Sequence, residues 1–104
     1  MEEKKILLCC GMGMSSGFLA TSARKAAKKE KLPYKIEARS EAEVEQYINS
    51  IDCLLVGPHY ANKVPAFKEM AKETKTVIEV IPEDIYGSLD GKSLLKMIKK
   101  MLSE

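Results

Sequence analysis

Four short apolar runs, each followed by a stretch with helical periodicity, constrain this chain more than any other feature. The runs occupy 4–9, 34–38, 51–56 and 76–81. Residues 6–9 are apolar without interruption, as in a strand covered on both faces. In the second run Tyr34, Ile36 and Ala38 alternate with Lys35, Glu37 and Arg39, the pattern of a half-exposed edge strand. The third run is apolar apart from Asp52, and in the fourth Glu79 marks a partly exposed face. Regular alternation with short connections implies βαβ units and a parallel sheet. Buried first and third strands with exposed second and fourth strands fit the order 2-1-3-4. The expectation is an α/β fold: a single three-layer domain over residues 1–104, with a four-stranded parallel sheet and helices on both faces. A chain of 104 residues supports one modest core.

The intervening stretches read as follows. Ser16 is a candidate cap for the first helix. Phe18, Leu19, Ala23, Ala26 and Ala27 form its inward stripe, with Arg24, Lys25 and Lys28 outside. That helix ends near Lys31, just before Leu32-Pro33. Ser40 and Glu43 have capping-box spacing for a short second helix, with Val44, Tyr47 and Ile48 inward. A third helix covers roughly 62–73, with Val64, Phe67, Met70 and Ala71 inward. Residues 82–89 read as a loop. Asp90 caps a last helix whose stripe is Leu94, Leu95, Ile98, Met101 and Leu102.

The order 2-1-3-4 places a topological switch point between strands one and three, where ligands bind beyond the carboxyl ends. The first run ends there in Cys9-Cys10 and opens into Gly11-Met12-Gly13-Met14-Ser15-Ser16-Gly17. A small-residue loop leading into a helix offers inward-pointing N–H groups and a partial positive charge. A cysteine at its mouth gains a lowered pKa, because those donors favour thiolate. Cys10 is therefore the candidate nucleophile, and 11–17 the candidate phosphoryl-binding loop. The Ser15 and Ser16 hydroxyls add donors. Met12 and Met14 read either as an adaptable apolar rim or as core filling. Cys9 reads as the structural member of the pair, and Cys53 as core. His59 and Tyr60 follow the third strand. With Tyr86, they are the candidate rim of the crevice. A lone loop histidine is ordinarily solvated, and a phosphoryl relay is the alternative for His59. Asp84 receives no role.

Other chemistries fit less well. Protein tyrosine phosphatases place an arginine six residues after the cysteine, where it forks onto the phosphate. Here that position is Ser16. Without the cation, hydrolysis of a phosphocysteine is poorly catalysed, which suits a protein that passes the group on. A receiver-like signalling module needs an acid at the end of the third strand, where Val56 and Gly57 stand. A redox role is disfavoured because Cys9 and Cys10 are adjacent, and a vicinal disulfide is strained. Three cysteines, two adjacent, make no disulfide framework and fit a reducing cytoplasm. With 17 basic and 15 acidic residues, the charge gives no push toward nucleic acid. No apolar run is long enough to span a bilayer, and no cofactor or metal is called for. Arg24, Lys25, Lys28, Lys29 and Lys31 form either a solvated helix face or a docking patch for an acidic partner.

Lys4-Lys5-Ile6, Cys10, Gly13-Met14-Ser15, Val56-Gly57-Pro58, and Tyr86-Gly87 with Asp90-Gly91 resemble the IIB components of the sugar phosphotransferase system, lactose/cellobiose type. The resemblance covers nearly the whole chain. It implies a cytoplasmic phosphoryl carrier whose cysteine, at the position of Cys10, accepts phosphoryl from a phosphohistidine of a IIA protein. The group then passes to a sugar held by a membrane-embedded IIC protein. The chain departs from the family pattern at Cys9, Gly11-Met12 and Gly17. The alternative is a low-molecular-weight tyrosine-phosphatase-like or arsenate-reductase-like enzyme built on the same cysteine loop.

Overall fold

Ile6, Leu7, Leu8 and Cys9 are all at most 2% exposed, so the first strand lies at the centre of the molecule. In this computed structural model, which describes residues 3–9 and 14–102, β1 (Lys4–Cys9) pairs in parallel with both β2 (Tyr34–Arg39) and β3 (Cys53–Val56). β3 pairs in parallel with β4 (Val77–Val80), completing the order β2-β1-β3-β4 expected from the sequence. The register is even: Cys9 lies opposite Arg39 and Val56, and Val56 opposite Val80. The strands therefore share one carboxyl edge.

Side-chain alternation divides the core into two layers. Ile6, Leu8, Cys53 and Leu55 pack against α1 (Met14–Lys29) and α5 (Gly91–Met101). Leu7, Cys9, Leu54 and Val56 pack against α2 (Val44–Tyr47) and α3 (Val64–Met70). The short α4 (Glu83–Ser88) adds Ile85 and Tyr86 to the first layer.

Several local expectations are corrected. Helix α1 begins at Met14, so Ser16 lies inside its first turn rather than capping it. Gly17 costs helix propensity, but burial of Leu19, Ala20, Ala23 and Ala27 carries the helix. Phe18 does not join that stripe and is 63% exposed. At about 100° per residue Phe18 falls nearly opposite Ala23 and Ala27, on the outward side of the helix.

The capping box at Ser40 does not form. Residues Glu41–Glu43 make a 3-10 turn, and the Glu43 N–H donates to the Ser40 carbonyl instead. The Glu43 carboxylate lies 3.9 Å from Arg39, which competes for it. The third helix is shorter than expected. Pro58–Lys63 forms 3-10 turns, and α3 ends at Met70, leaving that side chain exposed. Residues 83–88 are helical, not loop: Pro82 precedes Glu83 and Asp84, whose carboxylates suit a first turn, and Leu89 ends the helix at φ 53°.

Candidate functional site

The switch point sits where β1 and β3 end side by side. The Gly57 N–H donates to the Cys9 carbonyl at 2.8 Å, and the Ile81 N–H to the Val56 carbonyl at 2.8 Å. Each strand is thus locked to its neighbour up to its last residue, and the chain beyond it is free to form a site.

Cys9, the last residue of β1, is fully buried in the α2/α3 layer. Cys53 is fully buried in the opposite layer, its Sγ 3.7 Å from the Met101 Sδ. Burial, with the nearby Asp52 and Glu79 charges, pushes the Cys53 thiol up to about 12. Both thiols are core residues. Cys10, Gly11, Met12 and Gly13, the heart of the expected site, lie outside the described residues. So do the side chains of Met14, Ser15 and Ser16.

The frame on either side of that segment is described. Four residues join Cys9, at the carboxyl edge, to Met14, the first residue of α1. The first turn of α1 carries no carboxylate. N–H groups in a first helical turn have no acceptor within the helix and carry its positive partial charge. The end of α5 behind it is built differently. Asp90 Oδ1 accepts the Ser93 N–H at 3.1 Å, and Oδ2 accepts the Ser93 hydroxyl at 2.7 Å. Those bonds hold the Asp90 carboxyl below its usual range. Gly91 is buried against α1: an added Cβ would meet the Ser22 backbone and lie 2.6 Å from the Ala23 nitrogen. The Asp90-Gly91 pair therefore seats α5 on α1 within about two turns of the loop.

Of the expected rim, His59 and Tyr86 come together, with ring centroids 6.0 Å apart and planes tilted by 54°. With Pro58, Glu83 and Gly87 they line an open cleft of about 420 Å³ beside the end of β3. Tyr60 turns away and packs on the α2/α3 layer. Asp84 accepts the Ile85 N–H at 3.0 Å, which serves the start of α4. The reading of 82–89 as a loop left Glu83 unassigned. Proline followed by two acids was the signal for a helix start there.

The chain has two arginines, and both are engaged. Arg24 donates to the Ala20 carbonyl at 3.3 Å and to Thr21 Oγ1 at 3.4 Å. Arg39 pairs with Glu37 at 3.4 Å and lies 5.5 Å from the centre of the Tyr47 ring. Among the described residues, no cluster of three histidine, cysteine or acidic side chains is placed to hold a metal. Among them, too, no helix is long and apolar enough to cross a membrane.

Comparison with known proteins agrees with this frame. The family described as "PTS system, Lactose/Cellobiose specific IIB subunit" matches residues 5–97. The galactose-specific EIIB component of Lactococcus lactis subsp. cremoris is 28% identical over 99% of this chain and 100% of its own length. The oligo-beta-mannoside-specific EIIB component of Bacillus subtilis is 30% identical, covering 86% of each chain. Among solved structures, the lactose-specific IIB domain from Streptococcus pneumoniae superposes with a TM-score of 0.88, covering 96% of this chain and 98% of that one. At 16% identity it speaks to fold alone.

Proposed function

Since this chain belongs to the lactose/cellobiose-specific IIB family of the sugar phosphotransferase system, we propose that it is a phosphoryl carrier working through Cys10. Residues 1–104 act as one phosphocysteine domain. The Cys10 thiolate attacks the phosphorus of a phosphohistidine on a IIA protein. An S–P bond forms as the N–P bond breaks, and the imidazole leaves with its electron pair. The phosphoryl group then passes to a sugar hydroxyl held by a membrane IIC protein. In that step an O–P bond forms, the S–P bond breaks and the thiolate is regenerated. The hydroxyl proton goes to solvent or to a base on the partner. The chain works at the cytoplasmic face and needs no cofactor.

The observation that carries this reading is the carboxylate-free first turn of α1, four residues beyond the end of β1. A loose, metaphosphate-like transfer needs positioning and charge stabilisation above all. Backbone donors across 11–17, with Ser15 and Ser16, supply both. Both arginines are held by neighbours, so nothing here favours the forked cation of a phosphatase. His59 and Tyr86 form the wider rim, where a partner protein meets the loop. The curated relatives are named for galactose and oligo-beta-mannosides, which suits a carrier whose sugar is chosen by its IIC partner.

The test is incubation with phosphoenolpyruvate, the general phosphotransferase proteins and a IIA protein, followed by intact mass. One added phosphoryl group is expected, and Cys10→Ser abolishes it. A thiol reagent should find one fast cysteine in the folded chain, kept in Cys9→Ser and lost in Cys10→Ser, because Cys9 and Cys53 are buried. Phosphoryl retained in Cys10→Ser, or brisk turnover of p-nitrophenyl phosphate, overturns the proposal.

A further inference from the structure

Helix α1 is amphipathic in a way that its burial alone does not explain. Its inward face is Leu19, Ala20, Ala23 and Ala27. Directly opposite stands Phe18, which at 63% exposure is the most exposed large hydrophobic among the described residues. At about 100° per residue, Thr21, Lys25, Lys28 and Lys29 fall within about 80° of it, and all four are exposed. No acidic residue occurs in α1. Three cations elsewhere are paired: Lys72 with Glu69, Lys99 with Glu30, Arg39 with Glu37 and Glu43. Among the described residues, Lys25, Lys28 and Lys29 have no such partner.

We propose that this outward face of α1 docks an acidic protein surface, that of the phosphoryl donor, with Phe18 as the apolar anchor nearest the loop. The proposal rests on the transfer reading above and adds the surface that selects the donor. Phe18 lies in the fifth position of the helix, one turn from the segment that carries Cys10. A partner gripping the ring is therefore held beside the thiol. The lysines extend the contact along roughly 17 Å of helix, from Phe18 to Lys29, and attract an acidic partner from a distance. An exposed aromatic ring offers large contact area at little entropic cost, which is the usual character of an interface anchor. One ring on an otherwise polar face is a small payload for a lipid surface, so a protein is the favoured occupant.

The experiment measures the initial rate of phosphorylation by the phosphorylated IIA protein as the concentration of this chain is varied. Phe18→Ser removes no core contact and should raise KM about tenfold, with the plateau rate and the final mass unchanged. Reversing Lys25, Lys28 and Lys29 to Glu should raise KM and flatten its dependence on salt. Lys68→Glu, on α3 across the sheet, makes a charge control that leaves both as in the wild type. A phosphorylated wild type whose KM and salt slope survive in both α1 variants overturns the docking surface while leaving the carrier reading intact. Binding of anionic phospholipid vesicles that Phe18→Ser abolishes, with KM unmoved, also overturns it. A wild type that takes up no phosphoryl group overturns both.

Discussion

The starts of α1 and α5 lie in the same layer and face opposite problems. The first N–H groups of α5 are closed by the chain itself: Asp90 takes the Ser93 N–H and hydroxyl, and Gly91 is pressed onto α1. The first turn of α1 has no carboxylate and follows the central strand across four residues. One helix brings its own anion; the other has none in its first turn, and in the proposed transfer its positive end meets a phosphoryl group that comes and goes. On the proposed reading the same dipole serves stability in one place and chemistry in the other.

Three changes would break or sharpen this contrast. The largest effect is expected at the closed end. Gly91→Ala places a Cβ 2.6 Å from the Ala23 nitrogen and closer still to Ser22. These are backbone contacts, so α1 must move. Overpacking of this kind costs about 3 kcal/mol, against a helix-propensity gain of at most about 1 kcal/mol. Chemical denaturation should show a net loss of about 2 kcal/mol. An unchanged midpoint would mean that α5 is not seated as described.

The second change gives the open end a carboxylate of its own. Ser16→Asp puts an anion in the first turn of α1, where it should stabilise the helix by about 0.5 kcal/mol. The same charge repels an incoming phosphoryl group, and the rate of phosphorylation should fall about tenfold. Stability and activity then move in opposite directions, as the contrast requires. If phosphorylation proceeds at the wild-type rate, the start of α1 is not the anion site.

Strand order and layers were legible, because the apolar runs 6–9 and 53–56 and the alternation of 34–39 leave few arrangements. The Asp90 cap was legible too, since a cap is a local matter of one side chain and a backbone N–H three residues on. Phe18 misled because it stands beside apolar residues in the sequence, although about 100° per residue turns it away from Ala23 and Ala27, and Met70 because α3 ends there. The Ser40 cap failed through a competitor, Arg39, that reaches the Glu43 carboxylate from the preceding strand. At the site, proximity of His59 to Tyr86 followed from the fold, whereas Tyr60 turning into the other layer depends on the 3-10 turns after Pro58. Nothing in composition announces such turns.

The smallest of the three effects is the most specific. Hydrogen bonds from Ser93 hold the Asp90 carboxyl below its ordinary value of 3.8. A folded-state pKa below the unfolded one stabilises the protein above the unfolded value, and that contribution fades as pH falls through the folded value. Asp90→Asn keeps an acceptor for the Ser93 N–H but has no charge to titrate. The stability difference between wild type and Asp90→Asn should therefore be constant above about pH 5 and shrink toward about pH 2. Other carboxylates cancel in that difference, because they titrate in both proteins. Salt should reduce the difference at neutral pH, since part of it is the attraction of Asp90 to Lys96 and to the helix start. A difference that ignores acid would mean that the α5 end is capped by geometry alone. The charge that separates it from α1 would then have no part in holding the helix.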